Sequence, residues 1–175
     1  MSIAYRNEPY KEEVINGEHI IDMSSPTVNH NFIISKLTAV FDEYFKFKTC
    51  KMFHENLDVF INDENIVQPD WFVVCDPNKI KSNGIYGAPD FVIEVLSPST
   101  AKYDMISKKN LYEKSGVREY WVINQYEKLI HVHELIDGVL VLKNVYSGDE
   151  KIAPISFPDF EVYVNEIYRN CIFLE

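Results

Sequence analysis

The chain has 175 residues, of which 46% are hydrophobic and 14% aromatic, and its formal net charge at pH 7 is −10. This composition excludes a disordered chain and predicts a single domain over residues 1–175. No signal-peptide pattern is present, and no apolar stretch reaches the ~20 residues of a membrane-spanning helix, so we expect a cytoplasmic protein without a membrane partner. The negative charge argues against a broad basic surface for nucleic acid, although lysines cluster locally.

The three cysteines are Cys50, Cys75 and Cys171, which are widely spaced and form no Cys-x-x-Cys motif. Because metal-ligand spacing is missing, they are expected to be small buried hydrophobic residues in a reducing compartment. We therefore expect neither a zinc site nor an organic cofactor.

In the first third of the chain, the sequence predicts a hairpin, a helix and a strand. Asn-Gly at 16–17, between two β-prone runs, predicts a tight β-hairpin. Apolar residues at helical spacing predict a helix over about 28–47, with Thr27 as its N-cap. Alternating apolar residues at 53–61 then predict one strand face, which ends at a turn over 63–65.

Two apolar runs follow, and each is opened by Pro-Asp and closed by Pro, as expected for strands with proline at their mouths. A second helix is predicted over about 101–115, followed by an apolar strand at 119–124. The rest of the chain predicts a β-meander with turns at 124–125, 137–138 and 147–148. The order of these elements predicts a mixed α/β layer fold.

Three acids lie where acids are costly. Asp70 and Asp90 open apolar strands, and Glu94 lies inside the run 91–96, where a carboxylate must face solvent, find a partner or bind a cation. Asp90 and Glu94 share a strand face but are ~13 Å apart, whereas Asp70 can meet Glu94 across a ladder spacing of ~5 Å. Asp70 and Glu94 are therefore the predicted ligands of a hard divalent ion, Mg²⁺ with Mn²⁺ as a substitute.

The second predicted helix places Asp104, Lys108 and Tyr112 on one face, because they follow one another at intervals of four residues. This helix directly follows the strand of Glu94, so its first turns can lie above the end of that strand. A lysine there can orient the attacking water or offset the charge that builds on a phosphorane.

Each of these residues also has a purely structural interpretation. An aspartate after proline can simply form the turn at the start of a strand, and Glu94 can lie on an exposed sheet face. Asp104 and Lys108 can be an ordinary i,i+4 helix pair. His30, in the first turn of the long helix, can be a capping or packing residue.

Segment 87–123, GAPDFVIEVLSPSTAKYDMISKKNLYEKSGVREYWVI, resembles the Uma family of bacterial endonucleases. The family pattern is a Pro-Asp strand with an internal Glu, then a loop, and an Asp-x-x-x-Lys-x-x-x-Tyr helix. Met23-Ser24-Ser25-Pro26 with His30, and Val67-Gln68-Pro69-Asp70, are similar to the family as well, so the resemblance covers roughly residues 10–170. The family in turn resembles the PD-(D/E)xK nuclease superfamily.

The resemblance implies a mixed α+β, restriction-endonuclease-like fold of three layers, in which a central mixed sheet is flanked by helices and accompanied by extra β-hairpins. It also implies an endonuclease that hydrolyses DNA phosphodiester bonds with a Mg²⁺-activated water. On the superfamily pattern, Asp70 and Glu94 would hold the metal. The superfamily lysine two residues after the second acid is replaced here by Leu96, and the family pattern points instead to Lys108.

Four further residues, His30, Asp90, Asp104 and Tyr112, are candidates for supporting roles at this site. We also expect a homodimer, because two-fold symmetry suits cutting both strands of a duplex and the aromatic-rich meander leaves apolar surface to cover. The acidic charge and the displaced lysine favour an alternative, a catalytically inactive nuclease-fold module that binds a partner. A hydrolase acting on RNA or a small phosphodiester is a third interpretation.

Overall fold

The computed structural model describes residues 11–22, 25–97 and 104–173. Its helices are α1 (Val28–Phe45), α2 (Lys109–Ser115), which continues from a π-helical segment (Asp104–Lys108), and α3 (Val164–Ile167), with a 3₁₀ turn at Pro77–Lys79. The strands are β1 (Lys11–Ile15), β2 (Glu18–Asp22), β3 (Lys51–His54), β4 (Val59–Asn62), β5 (Asn65–Val67), β6 (Trp71–Val74), β7 (Ile80–Lys81), β8 (Gly84–Tyr86), β9 (Phe91–Val95), β10 (Glu119–Asn124), β11 (Leu129–Ile136), β12 (Val139–Ser147), β13 (Lys151–Ile152) and β14 (Val162–Tyr163).

Two six-stranded sheets form the body of the fold. The central sheet has the order β12-β11-β10-β9-β6-β3, and the N-terminal sheet has the order β2-β1-β5-β4-β8-β7. The central sheet is mixed, because β9 and β10 are parallel while its other neighbours are antiparallel. The mixed central sheet with helices and additional hairpins confirms the predicted fold class.

Alternation along β9 separates the two halves of the core. Phe91, Ile93 and Val95 join a buried cluster that includes the apolar face of α1, whereas Val92 joins a second cluster with residues of the N-terminal sheet and α2. Each fully buried apolar side chain contributes about 1.5–3 kcal/mol to folding. Glu94 shares the face of Val92, because side chains two residues apart point to the same side of a strand, so its carboxylate enters the interior beneath the N-terminal sheet.

The local predictions near the start of the chain are confirmed. Asn16 and Gly17 have φ values of 53° and 76° and connect β1 to β2, as a type I′ hairpin turn requires. The Thr27 hydroxyl accepts a hydrogen bond from the His30 backbone N–H at the start of α1. The helix ends at Phe45, two residues before the predicted end.

The predicted single strand face over 53–61 is wrong. Phe53 lies in β3 of the central sheet, whereas Val59 lies in β4 of the N-terminal sheet. Between them the chain turns at Glu55 and Asn56, whose φ values are 23° and 58°. Alternating apolar residues indicate a strand face but not the sheet to which the strand belongs. The sequence pattern therefore does not show that the chain passes from the central sheet to the N-terminal sheet between Phe53 and Val59.

The expectation of three reduced cysteines is also wrong. Cys50 and Cys75 form a disulfide, and Cys171 remains a free thiol. The pairing of β3 with β6, with Lys51 opposite Val74, brings the two flanking cysteines together. They are 25 residues apart in sequence, so only the pairing of the strands reveals that they are neighbours.

The second predicted helix is confirmed from residue 104 onward, whereas its predicted start at 101 lies outside the described residues. It opens with the π-helical segment, a feature frequent at functional sites. It ends at Ser115, and Gly116, with a positive φ of 81°, forms the C-cap. None of the helices in the described part of the chain is long and apolar enough to span a membrane.

Candidate active site

Asp70 and Glu94 meet because β6 and β9 are antiparallel neighbours. Trp71 pairs with Ile93, so Asp70, directly before β6, lies beside Glu94. The Asp70 backbone N–H donates to Glu94 Oε2 at 3.3 Å, and the Val95 N–H donates to Asp70 Oδ2 at 2.8 Å. The structure thus brings together the two carboxylates that the sequence analysis selected.

Lys108 and Tyr112 approach the same carboxylate from the second helical region. Lys108 Nζ lies 3.0 Å from Glu94 Oε1, and the Tyr112 hydroxyl donates to that oxygen at 2.7 Å. All three residues are buried, with exposed fractions of 0–1%. The four-residue spacing of Lys108 and Tyr112 places both side chains on the helix face that covers β9.

Burial dominates the electrostatics of this group. A carboxylate removed from water is costly unless a cation and hydrogen bonds compensate it, and Glu94 has both. Burial raises the pKa of Tyr112 well above its usual value, and the adjacent charge of Glu94 raises it further. Tyr112 therefore stays protonated and acts as a hydrogen-bond donor to Glu94.

His30 reaches Asp70 from the first turn of α1. Its Nε2 lies 3.3 Å from Asp70 Oδ2, and its Nδ1 lies 3.4 Å from Glu55 Oε1 without a hydrogen bond to any described residue. Burial alone would lower the pKa of His30, but the interaction with Asp70 raises it above the usual value. Burial alone would raise the pKa of Asp70, but Lys11 and His30 together hold it well below its usual range.

Lys11 and Glu13 reach the site from β1 and are not among the site residues predicted from the sequence. Lys11 Nζ lies 3.3 Å from Asp70 Oδ1, and Glu13 Oε1 lies 3.1 Å from Lys108 Nζ. Glu13 Oε1 also accepts a hydrogen bond from the Gln68 backbone N–H at 2.7 Å, which ties β1 to the segment before Asp70. The predicted hairpin could have indicated them. Residues 11, 13 and 15 share one face of the strand, and the apolar Ile15 predicts that this face points towards the interior.

Two predicted supporting residues do not join this group in the described structure. Asp90 lies at the opposite end of β9 from Glu94, where its carboxylate accepts hydrogen bonds from Arg118 and from the Cys75 backbone N–H, both at 2.7 Å. These contacts fix the start of the strand, which agrees with the turn interpretation. The Asp104 side chain lies outside the part of the chain that the structure describes.

Comparison with known proteins identifies the family. Residues 2–165 match the Uma2 family model, described as "Putative restriction endonuclease". The chain belongs to the Uma2 family. It is 30% identical over 169 residues to the uncharacterized protein slr1290 of Synechocystis sp., covering 93% of this chain and 86% of that protein. The crystal structure of a "putative nuclease belonging to DUF820" from Anabaena variabilis aligns with a TM-score of 0.75 and 21% identity, covering 90% of this chain and 89% of that chain.

These matches confirm the assignment to the Uma family and the restriction-endonuclease-like fold. They also place the Uma2 chain in a family of nucleases in general. The crystal structure, at 21% identity, supports the fold alone.

The donor set at the Uma2 site fits a hard divalent ion. Mg²⁺ takes oxygen ligands and is commonly held by one or two carboxylates, with water and substrate phosphate completing the shell. Asp70 and Glu94 supply two neighbouring carboxylates, and the Lys11 ammonium already lies 3.3 Å from one Asp70 oxygen. Among residues 11–22, 25–97 and 104–173, no group of three or more His, Cys, Asp or Glu is arranged to hold a metal, so the two carboxylates would need water and substrate oxygens to complete the shell of an ion.

Proposed function

We propose that the chain is a metal-dependent endonuclease that hydrolyses DNA phosphodiester bonds. The observation that carries this proposal is the buried pair of Asp70 and Glu94, with Lys108 at 3.0 Å from Glu94. Nucleic acid as the substrate class follows from the description of the family as restriction endonucleases. A Mg²⁺ ion held by Asp70 and Glu94 would supply Lewis-acid chemistry, lowering the pKa of a bound water and neutralising charge on the phosphate.

The protein side chains contribute orientation and charge. Lys108 and Tyr112 both contact Glu94 Oε1, which fixes the direction of the carboxylate. The Lys108 ammonium is enclosed by Glu94 and Glu13, so it would act through space, by offsetting the negative charge that builds on the scissile phosphate, and loss of one such stabiliser typically costs ~10²-fold in rate. His30 contacts Asp70 on the side away from Lys11 and fixes the other carboxylate.

A plasmid-nicking assay tests the proposal. Supercoiled plasmid is incubated with the protein and Mg²⁺ or Mn²⁺, alongside Glu94→Gln, which keeps the size of the side chain but removes its charge. Wild type should nick the plasmid only with metal, and Glu94→Gln should be at least ~10²-fold slower. Asp90→Asn is the matched control on the same strand, and it should retain wild-type activity because Asp90 contacts Arg118 rather than the site.

One observation favours the alternative of an inactive nuclease-fold module. The four carboxylate oxygens of Asp70 and Glu94 each lie within 3.3 Å of a protein nitrogen or hydroxyl group, so the cluster is satisfied without a metal. Retention of duplex DNA in a gel-shift assay, without cleavage under any divalent ion, would favour this module over the enzyme.

We also propose a cytoplasmic homodimer, but the Cys50–Cys75 disulfide removes the cysteine argument for a reducing compartment, and the aromatic meander leaves less apolar surface than the sequence predicts. Tyr120 and Trp121 of the meander are buried within the protein rather than exposed. Exposed apolar side chains lie instead on the edge strand β12, at Val139, Val141 and Leu142. Light scattering at micromolar concentration tests the dimer, and the mass of one 20.5 kDa chain would contradict it.

A further inference from the structure

Lys11 is the most exposed cation of the buried cluster. Its side chain is 28% exposed, compared with 9% for His30 and 2% for Lys108. Asp70, its partner, is 12% exposed. Lys11 is therefore the cation of this cluster that water reaches most readily, whereas Lys108 is enclosed.

Lys11 also contacts an Asp70 oxygen that a metal ion on this carboxylate could use. Its ammonium lies 3.3 Å from Asp70 Oδ1 and 3.8 Å from Glu13 Oε1, between two carboxylates. A divalent ion on Asp70 would place two positive charges beside this ammonium. Like charges at such a distance repel strongly in a partly buried site, so the two cations compete for the same oxygen.

The two lysines differ in their freedom to move. Lys108 is enclosed by Glu94 and Glu13 and has little access to water that could solvate a displaced ammonium. Lys11 has a flexible four-carbon stem, and its side chain is partly exposed to solvent. A lysine ammonium is moreover a common point-charge ligand for phosphate.

We propose that Lys11 is a displaceable counter-ion, which neutralises Asp70 until a divalent ion binds and then turns to the substrate phosphate. This inference rests on the proposed function, since it takes Asp70 as a ligand of the metal. Lys11 is flanked by the carboxylates of Asp70 and Glu13, which favour its charged form. Movement of Lys11 away from Asp70 would thus limit the excess positive charge that a divalent ion brings beside this carboxylate.

Calorimetry with Mn²⁺ on the full chain tests the first half of the proposal. Lys11→Met removes the competing charge and should bind Mn²⁺ about tenfold more tightly than wild type, whereas Lys11→Arg should stay near wild type. Lys36→Met is the matched control, because the Lys36 side chain is also 28% exposed and pairs with one carboxylate, Glu166, at 3.1 Å. Its Mn²⁺ affinity should not change.

Duplex binding in Ca²⁺ tests the second half. If Lys11 contacts one phosphate, Lys11→Met should weaken binding and reduce the salt dependence of log K by about one charge. An unchanged salt slope would overturn the phosphate contact. Thermal melting checks that each variant is folded. If Lys11→Met does not fold, Lys11→Gln takes its place in both experiments.

The calorimetry separates failure of this inference from failure of the proposed function. If wild type binds Mn²⁺, Asp70→Asn abolishes binding and Lys11→Met leaves the affinity unchanged, the counter-ion role is overturned and the metal site stands. If neither wild type nor Lys11→Met binds Mn²⁺, both proposals fall. Binding by Lys11→Met alone supports the competition between Lys11 and the metal.

Discussion

Replacing Lys108 with methionine tests whether its charge holds the buried cluster together. The Lys108 side chain is 2% exposed, and its Nζ lies 3.0 Å from Glu94 Oε1 and 3.1 Å from Glu13 Oε1. Methionine keeps much of the volume but removes this cation from two buried carboxylates. Because removal of one partner of a buried ion pair costs about 3–5 kcal/mol, the free energy of unfolding should fall by that amount, a large share of the stability of a small domain.

Urea unfolding at pH 7, followed by circular dichroism, measures this loss. Lys109→Met is the matched control, since Lys109 is the next residue and is only half-buried, and it should change stability by no more than about 0.5 kcal/mol. The double variant Glu13→Gln/Lys108→Met should lose less than the sum of its single losses, because the cation and one of its partners are removed together. A loss below about 1 kcal/mol in Lys108→Met would refute the reasoning.

Two further predictions concern buried polar groups. Tyr112→Phe removes the hydroxyl that donates to Glu94 at 2.7 Å and should lower the free energy of unfolding by about 1.5–3 kcal/mol in the urea assay; unchanged stability would contradict this role. Burial lowers the pKa of His133 from 6.5 to about 4, so its contribution to stability is complete above pH 6.5 and is lost as the pH falls towards 4. The full difference between pKa values of 6.5 and about 4 corresponds to about 3.4 kcal/mol, which solvent screening reduces because His133 is not completely buried. His133→Gln should therefore remove about 2–3 kcal/mol of that pH dependence, and equal slopes in both proteins would show that His133 titrates normally.

Features that depend on local sequence could be predicted from the sequence. The hairpin at Asn16-Gly17 and the start of α1 at Thr27 depend on a few neighbouring residues, and both are observed. Glu94 was found because an acid inside an apolar strand is costly wherever that strand packs. Lys108 and Tyr112 follow from helical spacing, although the resemblance to the family was needed to select Lys108.

Features that depend on pairing between distant segments could not be predicted. Lys11 and Glu13 reach the site only because β1 pairs with β5 in the second sheet, with Val14 opposite Ile66. The Cys50–Cys75 disulfide likewise requires the pairing of β3 with β6. Periodicity reveals which side chains share a face, but the choice of neighbouring strand depends on the whole chain.

Glu119 shows why a buried acid alone does not identify a functional site. It is fully buried at the start of an apolar strand, as costly a position as that of Glu94. Its carboxylate accepts hydrogen bonds from the Trp121 indole and from the backbone N–H groups of Ile155 and Ser156, so it fixes a loop. Glu94 differs because a lysine and a tyrosine side chain converge on it beside a second carboxylate.

Anomalous diffraction from crystals soaked in Mn²⁺ is the most direct test of the central claim, that Asp70 and Glu94 hold one divalent ion. The account predicts a single strong peak at this site, with carboxylate oxygens of Asp70 and Glu94 at about 2.1 Å from the ion, and with the Lys11 ammonium moved away from Asp70. Ordered carboxylates that still contact Lys11 and Lys108, without a peak between them at saturating Mn²⁺, would contradict it.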